Sequence, residues 1–228
     1  MTKLFAHNWW AILYFNFKML PFAQAIKLPF DFYYKIRFVN ISGKININTR
    51  TLRRGMIKIG GRGSEMFSKH QTILDIKGLV VFNGTAEIGH GALLRVEKNA
   101  KVSFGHNSRI GALSKIFSEN EIWFGDELDF SWECQIFDTN FHDLKEVNSG
   151  LLTNKTEKVF IASYNWFGNR VSVMKGTKTN EYLTVAANSL CNKDYSALAP
   201  YSVIAGSPAK LVAKDKMRIF ENISRNEQ

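Results

Sequence analysis

Several features that would place this chain in a familiar class are scarce or absent. Its 228 residues contain only two cysteines, Cys134 and Cys191, which form no CxxC pair and are too few for a disulfide framework. The default interpretation is two free, mostly buried thiols in a reducing compartment. No tract rich in glycine, serine or proline divides the chain. We therefore expect one sizeable domain, with or without a small appendage.

Long apolar runs are also missing. The longest candidate, WWAILYF at residues 9–15, is interrupted by Asn16 and Lys18 and followed by Pro21. A membrane span needs about 20 apolar residues, so this run is too short. Residues 23–25 resemble a signal-peptidase cleavage site, but the apolar run before them is a poor match to the hydrophobic region of a signal peptide. We expect a cytoplasmic protein rather than a secreted one.

Acidic residues are scarce in the first 70 positions, which contain only Asp31 and Glu65 but 12 lysines and arginines. A basic, aromatic-rich segment can meet nucleic acid, an anionic membrane or an acidic ligand, or be a solvated face without a partner. No recognised nucleic-acid module accompanies it, so we expect no nucleic acid. Two interpretations stay open for residues 1–70: a cap on the domain, and a peripheral contact with the inner face of the cell membrane.

A repeat of six dominates the rest of the chain. From residue 76 an apolar side chain recurs at every sixth position in four frames: Ile76, Phe82, Ile88 and Leu94; Phe104, Ile110 and Ile116; Phe124, Phe130 and Ile136; Ile161, Phe167, Val173, Thr179, Val185 and Cys191. Neither an α-helix nor a free alternating strand has this period. A flat strand followed by a sharp corner does, and three such units close a triangular coil. The pattern therefore predicts an all-β solenoid, a parallel β-helix.

Such a solenoid needs a cover at each end. We expect a cap from residues 1–70, the β-helix over 71–205 with a loop at 143–160, and a tail over 206–228. The tail sequence AKLVAKDKMRIFENI spaces its apolar residues roughly as a helix does. It therefore predicts a short C-terminal helix.

The end of the repeat closely resembles the hexapeptide-repeat acyltransferases. The matching features are Trp166 within a repeat unit, the pair Lys193-Asp194, and the Gly-x-Pro-Ala-Lys tail at residues 206–210. Residues 14–30 and 53–60 look like the cell-surface polysaccharide branch of that family. The resemblance implies a left-handed β-helix, a homotrimer with active sites between adjacent subunits, and acetyl transfer from acetyl-CoA.

His142 stands six positions after Ile136, and the frame then lapses until Ile161. A sugar hydroxyl is protonated at neutral pH, so a base must remove its proton, and histidine suits that task. The resemblance implies His142 as this general base; the alternative is a histidine that only caps the loop. Asp138 or Asp143 could hold the imidazole tautomer, and Asp138 could equally be a turn residue.

The resemblance also implies a set of residues for the acyl donor. These are Trp166 and Asn169 along the pantetheine arm, the backbone of Ala187 beside it, and Asn192, Lys193 and Lys210 near the nucleotide phosphates. The alternatives are that Trp166 packs between subunits and that the lysines are surface charges. His106 and His142 lie 36 apart, two coils, but Val147 stands where a metal site would need its third ligand. We expect no metal.

The expected activity is acetyl-CoA-dependent O-acetyl transfer to a sugar of a surface polysaccharide or its precursor. A small acceptor (serine, a free sugar, an amino-sugar or an antibiotic) and a non-catalytic β-helix scaffold remain as alternatives. Acceptor contacts are expected from the loop at 143–160, from the acidic run near Glu119 and from a neighbouring subunit.

Overall fold

The computed structural model describes residues 7–67 and 69–219, and their regular structure is almost entirely β. The helices are α1 (Trp9–Met19) and α2 (Phe22–Ala25). The strands, in chain order, are β1 (Phe30–Phe32), β2 (Ile36–Ile41), β3 (Lys44–Ile47), β4 (Ile57–Ile59), β5 (Thr72–Ile76), β6 (Leu79–Phe82), β7 (Ala86–Ile88), β8 (Leu93–Val96), β9 (Lys101–Phe104), β10 (Ser108–Ile110), β11 (Lys115–Ser118), β12 (Glu121–Phe124), β13 (Asp129–Phe130), β14 (Gln135–Phe137), β15 (Leu144–Lys145), β16 (Leu152–Thr153), β17 (Val159–Ile161), β18 (Trp166–Phe167), β19 (Ser172–Val173), β20 (Lys178–Thr179), β21 (Thr184–Val185), β22 (Leu190–Cys191), β23 (Asp194–Tyr195), β24 (Val203–Gly206) and β25 (Ala209–Ala213). None of the helices in these ranges is long and apolar enough to cross a membrane.

Most of the strands form three sheets that are the sides of a triangular prism. The first sheet has the order β1-β4-β7-β10-β13-β18-β21-β24-β25, the second β2-β5-β8-β11-β14-β19-β22, and the third β3-β6-β9-β12-β17-β20-β23. Successive strands therefore enter the three sheets in turn, one coil after another. Their pairings are parallel apart from β24 with β25. The predicted parallel β-helix is confirmed.

The inside of the prism is filled by the sixth-position side chains. Every marker in the four frames is at most 2% exposed. Aromatic rings stack along the axis, with Phe104 between Phe82 and Phe124 at centroid distances of 5.1 and 5.2 Å. Thr179 is the one marker in the column that carries a hydroxyl group. This buried hydroxyl accepts hydrogen bonds from the N–H of Ala162 at 2.9 Å and from the side-chain amide of Asn165. Burial of this apolar column is the main stabilising term of the fold.

The breaks between the frames all fall at one corner of the prism. Leu94, Ile116 and Ile136 lie on the second sheet, and the next marker after each lies on the third. Extra residues can be inserted at that corner without disturbing the inward column of the sheets. The longest insertion follows β14 and carries His142. The candidate base therefore sits at the corner where the scaffold tolerates departures from the repeat.

Helix α1 covers the open end of the prism. Its residues Ala11, Ile12 and Phe15 are buried against the first coil. The buried side chain of Asn16 donates to the carbonyl of Phe30 at 2.9 Å and accepts from its N–H at 3.1 Å. These two bonds satisfy backbone groups of β1 that would otherwise face outward from the end of the sheet.

Two expected boundaries differ from the structure. The β-helix begins with β1 rather than at residue 71, so residues 30–59 form the first coil instead of part of the cap; a longer loop before β4 hides the sixfold spacing there. The predicted tail helix is wrong for Ala209–Ala213, which pair as an antiparallel strand with β24 and close the edge of the first sheet. The final part of that predicted helix, residues 220–228, lies outside the described residues.

Candidate active site

Aromatic packing holds the segment that leads to His142 against the outside of the second sheet. The ring of Phe141 lies 4.6 Å from that of Phe117 and 5.5 Å from that of Phe137. The backbone N–H of Phe141 donates to the hydroxyl of Thr139 at 2.9 Å. His142 itself is exposed and has no hydrogen-bond partner among the described residues. Its imidazole therefore stands on a fixed root with both ring nitrogens available.

The loop after His142 is tied to the corner at its base. The N–H of Asn140 donates to the carbonyl of Lys155 at 2.9 Å, and the N–H of Glu157 donates to the carbonyl of Asp138 at 3.0 Å. Beyond these ties, β15 and β16 form an antiparallel hairpin, and the chain rejoins the third sheet at β17. The loop predicted for residues 143–160 is thus an ordered projection whose return begins two residues early, at Val159.

Glu119, which was expected to contact the acceptor, contributes to the same ties. Its carboxylate accepts from the hydroxyl of Thr139 at 3.0 Å and lies 3.0 Å from the Lys155 ammonium. The hydrogen bond and charge of Glu119 raise the pKa of Lys155 above its ordinary value. The described contacts of Glu119 are therefore internal ones that fix the base of the loop.

Asp138 does not orient the imidazole in this structure. Its carboxylate is fully buried and accepts from the hydroxyl of Ser118 at 2.6 Å and from the N–H groups of Glu119 at 2.8 Å and Asn120 at 3.0 Å. No described hydrogen bond joins it to His142. Burial raises the pKa of Asp138 above its ordinary 3.8, although the three donors act to lower it. Asp138 holds the preceding corner and acts on His142 only through the backbone.

Asp138→Asn is expected to lower stability rather than to remove activity. The amide cannot accept from three donors, so we expect a loss of about 1–3 kcal/mol in the free energy of unfolding. Because the folded pKa is raised, the contribution of Asp138 is fully present below pH 3.8 and is lost as pH rises through the folded value. The deficit of the variant should therefore be largest in acid, which urea unfolding at several pH values measures.

The exposed neighbour Asp143 supplies a matched control, since Asp143→Asn should leave the unfolding curve unchanged. If Asp138→Asn instead unfolded like the parent and lost acetyl transfer, the carboxylate would act on the imidazole after all.

Trp166 lies on the outer face of the first sheet, in register between Asp129 and Thr184. The guanidinium of Arg218 sits 5.2 Å above its ring and 2.7 Å from the Asp129 carboxylate. Arg62 approaches the same buried carboxylate to 3.2 Å. This cluster fixes one side of Trp166, and the sequence did not predict it because Arg62 and Asp129 are 67 residues apart.

Asn169 and Ala187 stack at the corner between the first and second sheets. The N–H of Asn188 donates to the carbonyl of Asn169 at 3.0 Å, one coil below. A Cβ on Gly168 would come within 2.6 Å of the nitrogen of Ala187, so only glycine allows the coils to approach here. The N–H of Ala187 has no acceptor among the described residues. Trp132, which no sequence motif marks, occupies the next coil down at this corner and is 39% exposed.

The remaining predicted donor contacts divide between two places. Lys210 is exposed on β25, at the edge of the same sheet as Trp166, whereas Asn192 and Lys193 are exposed at the corner between the second and third sheets. One copy of the chain therefore does not gather the six residues into a single pocket. His142 and Trp166 likewise belong to different sides of the prism.

The cysteines offer no nucleophile. Burial raises the pKa of the Cys134 and Cys191 thiols to about 12 in each case. Both thiols are free, as expected, and remain protonated. Within residues 7–67 and 69–219 there is no group of three or more histidine, cysteine, aspartate or glutamate side chains arranged to hold a metal ion.

Comparison with known proteins identifies the fold. No protein-family model matches the chain. The crystal structure of the polySia-specific acetyltransferase NeuO superposes with a TM-score of 0.59 at 20% identity, covering 87% of this chain and 84% of NeuO. The chain therefore has the left-handed β-helix fold of that structure. The fold implied by the hexapeptide-repeat resemblance is thereby confirmed.

A second likeness is found in sequence. A polysialic acid O-acetyltransferase of Escherichia coli O1:K1 / APEC is 24% identical over 119 residues, which are 52% of this chain. The match spans 38% of the relative's own length.

Proposed function

We propose that this chain is an acetyl-CoA-dependent O-acetyltransferase that acts on a hydroxyl of a surface polysaccharide or its precursor, with His142 as general base. The observation that carries the proposal is the exposed, unbonded imidazole of His142 at the root of an ordered loop on a rigid scaffold. The fold shared with NeuO and the sequence likeness to a polysialic acid O-acetyltransferase support the same activity.

The proposed reaction needs one base and no covalent intermediate on the protein. The imidazole of His142 accepts the proton of the acceptor hydroxyl while the hydroxyl oxygen attacks the thioester carbonyl of acetyl-CoA. The tetrahedral oxyanion is stabilised by a backbone N–H at a coil corner. When the C–S bond breaks, the imidazolium returns its proton to the sulfur. The products are an acetyl ester and CoA with a free thiol.

A basic cavity supports an acidic polymer as the acceptor. It has a volume of about 670 Å³ and lies beside the first sheet near the capped end of the prism. Four cationic side chains line it against the carboxylates of Asp31 and Glu87: Arg53, Arg54, Lys58 and Arg109. A sugar polymer extends beyond the transfer site, so a surface with excess positive charge suits a polymer that carries carboxylates. The likeness to a polysialic acid enzyme points to the same acceptor class.

We further propose that the active site is completed by a second copy of the chain, as in a homotrimer. His142 and Trp166 lie on different sides of one prism, so side-by-side packing is the simple way to bring such residues together. The loop after His142 also exposes large apolar side chains by 56, 94, 68 and 71%: Leu144, Val147, Leu151 and Leu152. A neighbouring copy would bury them.

Trp166→Ala is expected to weaken donor binding. If the pantetheine arm lies along the indole, its loss should raise the KM for acetyl-CoA about tenfold with a smaller change in kcat, since such a contact is made equally in the ground and transition states. Steady-state kinetics with acetyl-CoA as the varied substrate measures this. Trp123→Ala, on the outer face of the third sheet, should leave the KM unchanged. An unchanged KM in Trp166→Ala would make the indole a packing residue.

The direct test mixes the protein with acetyl-CoA and a panel of acidic and neutral polysaccharides, free sugars, amino-sugars and serine, and follows release of free thiol. Release of thiol with the acidic polysaccharides and with no other acceptor of the panel supports the proposal. Release with a small acceptor would favour the alternative acceptor class. Failure to bind CoA in equilibrium dialysis would favour a non-catalytic scaffold.

A further inference from the structure

Helix α1 is apolar on two opposite faces, and only one of them is covered. The inner face packs on the first coil through Ala11, Ile12 and Phe15. The outer face carries four large apolar side chains at helical spacing, exposed by 64, 49, 42 and 48%: Trp10, Leu13, Tyr14 and Phe17. A helix that is apolar all round is normally buried on all sides. The outer face of α1 therefore lacks a partner.

The exposed face continues onto the short helix α2. The ring of Phe17 lies 6.1 Å from that of Phe22, which is 73% exposed, and Ile26 nearby is 55% exposed. The rings of Trp10 and Tyr14 stack at 5.0 Å, so the outer surface is rigid and aromatic. At 11 residues α1 is too short to span a bilayer. Tryptophan and tyrosine prefer the depth of lipid headgroups, and a helix of this kind lies in that plane.

Positive charge surrounds the aromatic surface. Four exposed cations lie on or beside the cap, and none of them forms an ion pair among the described residues: Lys18, Lys27, Lys35 and Arg37. Acidic side chains are almost absent from this part of the sequence, where Asp31 is buried. A second copy meeting this surface would bring like charge against like charge. An anionic bilayer supplies both the apolar layer and the counter-charge.

We propose that the capped end of the β-helix docks on an anionic lipid surface. The exposed apolar face of α1 and α2 lies in the headgroup layer, and the four cations contact lipid phosphates. The side-by-side trimer of the proposed function uses the sides of the prism and leaves this end free. The docking surface is separate from the residues of acetyl transfer, so the two proposals can fail independently.

Flotation of the 228-residue chain with two kinds of vesicle tests the docking. The protein should float with vesicles of equal parts phosphatidylcholine and phosphatidylglycerol and stay in solution with phosphatidylcholine alone. Trp10→Ser/Phe17→Ser should weaken binding about tenfold or more, because apolar area in the interface is lost. Lys18→Gln/Lys27→Gln should weaken it about fivefold per lysine and reduce its salt dependence.

Matched controls use exposed apolar residues away from the cap. Phe160→Ser/Val212→Ser should bind vesicles as the parent does, and Trp10→Ser/Phe17→Ser should transfer acetyl groups to a soluble acceptor at the parent rate. The proposal is overturned if the parent does not bind anionic vesicles, or if Trp10→Ser/Phe17→Ser binds them as strongly as the parent does. It is also overturned if the aromatic variant abolishes self-association seen in sedimentation, since a second copy would then be the occupant.

Discussion

His142→Ala is expected to remove most of the acetyl transfer while leaving acetyl-CoA binding intact. Without a base the acceptor hydroxyl must attack in its protonated form, and a positioned general base contributes about 10²–10⁴-fold to such a step. The exposed imidazole makes no described contact that stabilises the fold, so the variant should unfold like the parent. Initial rates of thiol release and the KM for acetyl-CoA separate the two effects.

His106 provides the matched control for this substitution. It is also an exposed corner histidine, on the corner between the third and first sheets, and its ring accepts only a long contact from the N–H of Thr85 at 3.4 Å. His106→Ala should transfer acetyl groups at the parent rate. Transfer at the parent rate in His142→Ala would remove this residue from the mechanism.

Mixing the two impaired variants, assayed at an acetyl-CoA concentration below the parent KM, extends the same test to the assembly. If His142 of one copy works with Trp166 of its neighbour, unfolding and refolding His142→Ala together with Trp166→Ala creates some sites in which both residues are intact. Activity should then recover above that of either variant refolded alone. No recovery in mixed oligomers would mean that each site is made by a single copy.

Phe104→Ala is expected to cause the largest loss of stability. Phe104 is fully buried between Phe82 and Phe124, and the planes of the Phe104 and Phe82 rings differ by 9°. Truncation removes apolar burial and leaves a cavity that stacked coils cannot close, which costs about 3–5 kcal/mol. The free energy of unfolding from urea denaturation gives the value.

An outward-facing phenylalanine on the same sheet provides the control. It shows how much of the stability loss comes from core burial and how much from ring stacking alone. Phe160 stacks on Trp123 at 4.3 Å but is 43% exposed. Phe160→Ala should therefore lose only about 0.5–1.5 kcal/mol. Equal losses in Phe104→Ala and Phe160→Ala would mean that the inward column does not dominate stability.

The sixfold pattern predicted the core because each inward position of a coil admits only a side chain that tolerates complete burial. Even Thr179, which departs from the pattern, is buried and satisfied by hydrogen bonds. The corner of His142 was predictable for the same reason, since the pattern lapses where the chain leaves the scaffold.

Other parts of the fold carry no such signal. The first coil has its inward residues spaced by a longer loop, so its strands were assigned to the cap. In the tail, Leu211 and Val212 are 40 and 60% exposed, so their spacing reflects neither a buried helix face nor a core. The antiparallel pairing with β24 decides the conformation there, and that pairing is a tertiary contact.

Side-chain partners within the candidate site were also beyond the sequence. Asp138 was as compatible with orienting an imidazole as with closing a turn, and only its three donors decide between these roles. The cluster of Arg62 and Arg218 about Asp129 depends on coils that are far apart in the chain.

Mass spectrometric analysis of an acidic polysaccharide incubated with the protein and acetyl-CoA tests the central claim most directly. We expect a base-labile acetyl ester on a sugar hydroxyl, formed in step with free CoA and absent with His142→Ala. An unmodified polymer beside intact acetyl-CoA, with any acceptor of the panel and with folded protein, would contradict it.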